Sequence, residues 1–161
     1  MRVRRILALL PLFILAGTAG CGKEAAGPTG PSPGRSFLEG TWSGTLTIER
    51  PGEPSSTGQV TWTFQTMDGT NLQSFRVTIR SQHAWLPITT TVTSAITPSN
   101  QPPARISTQG EYPSPRGCTG TLLSVGNADR TSIDADFSGV DCPTLAQSTF
   151  RGHVVLSKTS S

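Results

Sequence analysis

The stretch VTWTFQTMDGTNLQSFRVTIR, residues 60 to 80, carries the pattern that decides the fold. Val60, Trp62 and Phe64 alternate with Thr61, Thr63 and Gln65, and after Asp68-Gly69 the same period returns as Phe75, Val77 and Ile79 against Arg76, Thr78 and Arg80. A period of two places successive side chains on opposite faces of an extended strand, so each run has one apolar and one polar face. An Asp-Gly pair between two such runs predicts a tight type I′ turn, because both central residues need positive φ. The reading is an antiparallel hairpin with Trp62, Phe64, Phe75 and Val77 facing inward.

The same alternation extends in both directions. Upstream, Trp42, Leu46 and Ile48 share a face opposite Thr41, Ser43, Thr45, Thr47 and Glu49. Downstream, a fourth run from Trp85 to Ile96 aligns Leu86, Ile88, Val92 and Ile96, and the Pro98 to Pro103 segment ends it as a loop. Ala104 to Tyr112 is the sparsest strand, with only Ile106 and Tyr112 as large inward residues. Cys118 to Val125, Thr131 to Ser138 and Leu145 to Lys158 follow, separated by Gly126-Asn127-Ala128-Asp129 and by Asp141-Cys142-Pro143. No segment after residue 36 shows a 3.6-residue period with caps, so no helix is expected there. Eight strands joined by short turns predict an all-β, up-and-down barrel, whose closure removes exposed edges. A two-sheet β-sandwich is the alternative.

The opening of the first strand, Gly40-Thr41-Trp42-Ser43-Gly44-Thr45, resembles the Gly-x-Trp start of lipocalins and avidins. That resemblance implies that Trp42 plugs one end of a barrel. The lipocalin likeness further implies an arginine of the last strand stacked over it, a role that falls to Arg151. Read from the residues alone, Trp42 is equally a core aromatic of an unrelated β-domain. Trp42, Trp62 and Phe64 face inward, where they either fill a solid core or line a cavity for a small apolar ligand, since a barrel of about eight strands permits both.

The N-terminus has the three parts of a secretory signal. Arg2, Arg4 and Arg5 precede an apolar run from Ile6 to Ala16, and the small residues Gly17, Thr18, Ala19 and Gly20 follow. The run is too short to span a bilayer, which needs about 20 apolar residues. Thr18-Ala19-Gly20-Cys21 resembles the lipobox of bacterial lipoproteins, with Thr18 in place of the usual leucine. The resemblance implies that Cys21 becomes the lipidated first residue. With Gly22 next to it instead of Asp, an outer-membrane destination is implied if the host has two membranes. Ordinary cleavage after Ala19 is the alternative. Cysteine arithmetic favours lipidation, because Cys118 and Cys142 can pair in an oxidising compartment and Cys21 is then the odd one. Residues 21 to 36 read as the lipidated cysteine and a Gly/Pro tether, too poor in apolar surface to repay the entropy of folding. The expected organisation is a signal at 1 to 20, this tether, and an all-β domain at 37 to 161.

Charge and motif content exclude more than they assign. The formal charge is +3, but without Arg2, Arg4 and Arg5 the basic residues only match the ten acidic ones. The folded part therefore has no electrostatic footprint for nucleic acid. Arg50, Arg76 and Arg80 make at most a sparse basic patch. There is no phosphate-binding loop, zinc signature or nucleophile elbow. His83 reads as a turn residue before Trp85 and His153 as a polar-face residue of the last strand, both solvated. Asp134 and Asp136 could hold calcium with Asp129, but their alternation with Ile133, Ala135 and Phe137 makes them the outward half of a strand. A Cys118–Cys142 pair would close a loop of about 25 residues, worth roughly 3–4 kcal/mol by chain entropy. It reads as a structural staple, since no CxxC spacing is present.

No enzyme, no metal and no cofactor is expected. The sequence leaves two readings open for a membrane-anchored envelope lipoprotein. One is a barrel that binds a small apolar ligand. The other is a solid scaffold that contacts an envelope protein, similar in size and strand content to inhibitor-type lipoproteins.

Overall fold

The computed structural model describes residues 36–68, 71–97, 101–144 and 148–160. The expected signal at 1 to 20, Cys21 and the expected tether up to residue 35 lie outside the described residues. Eight strands follow in chain order: β1 (Gly40–Glu49), β2 (Ser56–Asp68), β3 (Asn71–Ser81), β4 (Thr89–Thr97), β5 (Ala104–Pro113), β6 (Thr119–Ala128), β7 (Ser132–Val140) and β8 (Thr149–Ser160). Each is antiparallel to the next, and β8 returns to pair with β1, so the sheet closes into an up-and-down barrel. The expected fold class is thus observed, and the sandwich alternative falls on the β1–β8 seam. That seam runs from Thr41 to Glu49 and carries an irregularity at Thr41/Trp42.

Several boundaries differ from the sequence reading, among them the start of β8, expected at Leu145 and observed at Thr149, with residues 145–147 outside the described residues. Trp85 to Ile88 belong to the connection that precedes β4, where Ser81 N donates to Ile88 O and Leu86 N to His83 O. Leu86 and Ile88 are still buried, because that connection folds over the barrel end and is not extended along its wall. β6 runs on through Ala128, past the Gly126-Asn127 expected to end it. The two strands β6 and β7 pair in register there, Gly126 with Ala135 and Ala128 with Ile133, and the turn begins only at Asp129. In the β2–β3 hairpin, Asp68 pairs with Asn71, so Asp68 is the last paired residue of β2 and not a central turn residue. Gly69 lies outside the described residues.

The interior follows the alternation. Trp42, Trp62, Phe64, Phe75 and Tyr112 are all fully buried, and the rings meet edge-on or tilted: Trp42–Phe64 at 6.4 Å, Trp62–Phe64 at 6.0 Å and Phe64–Phe75 at 6.1 Å. Such offset aromatic pairs add about 0.5–1.5 kcal/mol beyond the area they bury. The bulky aromatics concentrate on β1–β3, while β5–β7 mix small inward residues, Ala104, Ala128 and Ala135, with Ile106, Tyr112, Ile133 and Phe137. Glycines complete the fit. A Cβ on Gly120 would fall on the Tyr112 ring, and one on Gly139 would meet Phe150. Large and small residues alternate across the lumen, which is how a small barrel fills its interior.

Candidate functional site

The barrel has two unlike ends, and each is stopped by a tryptophan with a cation on its face. The chain enters at the first end. Ser36 to Glu39 form a turn closed by Glu39 N donating to Ser36 O, and Leu38 is fully buried beneath it. Trp42 Nε1 donates to Leu38 O at 2.8 Å. Lys158 lies opposite Trp42 in the β1–β8 register. Its Nζ stands 5.3 Å from the Trp42 ring centroid and donates to Phe37 O at 2.6 Å. Trp42 is fully buried at this end, and Arg151 does not lie over it. The inward positions of β8 carry even numbers, and Arg151 is outward at the opposite end of the strand. Its side chain is 81% exposed and pairs with Glu49 at 3.0 Å. The cation over the Trp42 ring is Lys158. Trp62 and Phe64, the other proposed ligand contacts, are core residues packed against Trp42 and Phe75.

At the far end the connections β1–β2, β3–β4, β5–β6 and β7–β8 gather around Trp85. The Arg50 guanidinium lies 4.6 Å and that of Arg116 5.1 Å from the Trp85 ring centroid, and Phe150 meets the ring edge-on at 5.2 Å. Arg50 is ion-paired with Glu53. Burial of its guanidinium, with the nearby Arg116 charge second, lowers the Arg50 pKa. Arg116 Nη1 reaches the buried Asp141 carboxylate at 3.0 Å, and Tyr112 OH donates to the same carboxylate at 3.0 Å. Burial first, then this hydrogen bond, pushes the Tyr112 pKa far up. Gly117, at φ 81°, turns the β5–β6 connection back, and Cys118 bonds to Cys142 with a Cα–Cα distance of 5.4 Å. The expected disulfide thus ties two of the four connections together beside this network.

His83 corrects the sequence reading, for it is buried and not solvated. Its Nε2 lies 3.1 Å from Ser56 Oγ and 3.0 Å from Ser56 O, while Trp85 N donates to Nδ1 at 3.1 Å. A carbonyl only accepts and a backbone N–H only donates, so the proton must sit on Nε2. A histidine with Nε2–H donating toward a serine cannot take that serine's proton, which is the reverse of a catalytic dyad. Its chemistry here is that of a strut joining the start of β2 to the β3–β4 connection. No sequence signal marked it, because its partners are a carbonyl and a backbone amide.

His153 is exposed as expected, and the fold brings it to carboxylates that the sequence did not link to it. Its ring nitrogens face Asp134 at 3.2 Å and Asp136 at 3.3 Å across the β7–β8 register. Asp129 is used elsewhere. Oδ1 accepts from Thr131 N at 2.7 Å and Ser132 N at 2.8 Å, and these backbone donors lower its pKa to about 2. Asp129, Asp134 and Asp136 do not converge on one point. Among the described residues the one grouping of metal-ligating types is Cys118, Asp141 and Cys142, whose sulfurs are joined to each other. Depressions of about 680 Å³ beside Arg50, Glu53 and Phe150 and of about 430 Å³ beside Leu123, Asp136 and His153 lie on the outside of the barrel.

Comparison with protein-family models, with curated proteins and with solved structures returned no match. The class defined by fold and site is a small closed antiparallel β-barrel with a disulfide-tied loop end.

Proposed function

We propose that the protein is a lipid-anchored module of a bacterial cell envelope that acts through its outer surface, as a scaffold for an envelope protein. One observation carries the choice between carrier and scaffold: the lumen is occupied by Trp42, Trp62, Phe64, Phe75 and Tyr112, all fully buried. A carrier of a small apolar ligand needs room among those side chains. The anchor rests on the resemblance of Thr18-Ala19-Gly20-Cys21 to a lipobox. It is further supported by the pairing of Cys118 with Cys142, which leaves Cys21 as the odd cysteine. At the end of the barrel opposite Trp42, Arg50 and Arg116 gather on the Trp85 ring. Tryptophan and arginine are the residues most enriched at binding hot spots, which favours that end as the contact surface.

Mass spectrometry of the protein purified from a bacterial host tests both parts. A denatured mass lacking residues 1–20 and carrying a diacylglyceryl group, lost in Cys21→Ala, is expected. Cleavage after Ala19 without lipid defeats the anchor. An equal native mass is expected for a solid scaffold. An additional non-covalent small molecule, retained on gentle ionisation, restores the carrier reading.

A further inference from the structure

We infer that the barrel wall holds one buried water molecule between β5 and β6, bound to the hydroxyls of Thr108 and Ser124. Three inward positions on adjacent strands are hydroxylic, and the register sets them in a single cross-barrel row: Ser94 opposite Thr108, and Thr108 opposite Ser124. All three are buried, Thr108 at 0%, Ser124 at 2% and Ser94 at 4% exposure. Apart from Thr90 and the Tyr112 hydroxyl, which donate to Glu111 O and Asp141, the buried strand side chains around the row are apolar, so it is a polar stripe inside a hydrocarbon core.

Its hydrogen bonds run one way. Thr108 Oγ1 donates to Ser94 Oγ at 3.0 Å, and Ser94 Oγ donates to Ser107 O at 3.0 Å. That chain spends the Thr108 proton and leaves its oxygen lone pairs open. Ser124 Oγ has no protein partner although it is buried. A buried hydroxyl left unpaired costs about 1–3 kcal/mol, and buried waters in proteins sit where two to four polar groups lack partners. A water that accepts the Ser124 proton and donates to Thr108 Oγ1 completes the row. On its own strand face Ser124 stands between Leu122 and Gly126, and across the β6–β7 register it faces Phe137.

The sign of one substitution separates a hydrated from a dry hydroxyl. With a bound water, Ser124→Ala removes a satisfied hydrogen bond and lowers Tm by a few degrees. With a dry site the same change deletes an unpaired polar group and raises Tm. Deuterium or ¹⁷O magnetic relaxation dispersion on the intact protein supplies the direct readout. One long-lived water is expected in the wild type and its loss in both Ser124→Ala and Thr108→Val, the second variant nearly isosteric. A raised Tm in Ser124→Ala, or a dispersion amplitude that neither variant changes, overturns the proposal.

Discussion

Lys158 and Trp42 face each other across the seam that closes the barrel, the ammonium 5.3 Å from the ring centroid and hydrogen-bonded to the carbonyl of Phe37. One side chain thereby joins the last strand, the first strand and the entering chain. The seam pairs residues more than a hundred positions apart, so its stability depends on contacts that form late in sequence terms. A cation held over an aromatic face contributes about 0.5–2 kcal/mol.

Lys158→Ala is expected to destabilise the domain by about 2–5 kcal/mol, the sum of the ring contact and a charged hydrogen bond. Arg151→Ala, by contrast, should stay within about 0.5 kcal/mol, as for other exposed ion pairs. Urea denaturation of the two variants checks the contrast. Equal effects, or a larger one at Arg151, would return the stacking role to Arg151.

Tyr112 is the single tyrosine of the chain, so its ionisation can be followed alone at 295 nm. Burial and the Asp141 hydrogen bond raise its pKa from the ordinary value of 10.0. The folded state then holds the proton more tightly than the unfolded chain. The stabilisation is complete below about pH 10 and is lost as pH rises above it. Tyrosinate absorbance should appear only together with alkaline unfolding, and a separate titration near pH 10 in the folded protein would contradict the buried Tyr112–Asp141 contact.

Reduction of Cys118–Cys142 is expected to cost roughly 3–4 kcal/mol, the chain-entropy value for a loop of about 25 residues. The paired variant Cys118→Ala/Cys142→Ala should lose the same amount without responding to reductant. Denaturation curves with and without a dithiol decide this. An unchanged midpoint would mean that the Tyr112–Asp141–Arg116 network holds the loop end without the covalent bond.

Asp129 caps the β6–β7 turn, and its pKa falls from 3.8 to about 2 because the backbone amides of Thr131 and Ser132 donate to the ionised form. A depressed carboxylate contributes stability that is present above about pH 4 and is lost as pH falls toward 2. Asp129→Asn should therefore be less stable than wild type at neutral pH, with the difference closing in acid. Thermal melts between pH 2 and 7 measure the difference, and a gap that persists at pH 2 would locate the effect elsewhere.

The strands were legible because each alternates with a period of two, and even the sparse β5 follows its pattern, with Ile106 and Tyr112 buried. The loop-end network was not. Trp85 reads as the first residue of a strand until Arg50 and Arg116, from two other connections, are seen on its ring. His83 reads as a polar turn residue, since its partners are the carbonyl of Ser56 and the amide of Trp85, which no side-chain motif announces. Arg151 and Lys158 both lie on β8. Only the register to β1 tells which of them meets Trp42.

What the sequence by itself determined is local: eight runs whose alternation sets which side chains face inward, and two domain cysteines free to pair. Such properties follow from the geometry of an extended backbone, which repeats every two residues wherever it occurs. The tertiary structure alone decided that β8 returns to β1, that the aromatics of β1–β3 fill the lumen, and that a tryptophan stops each end. Those outcomes depend on strand order and register, and both are fixed by packing between residues distant in the chain.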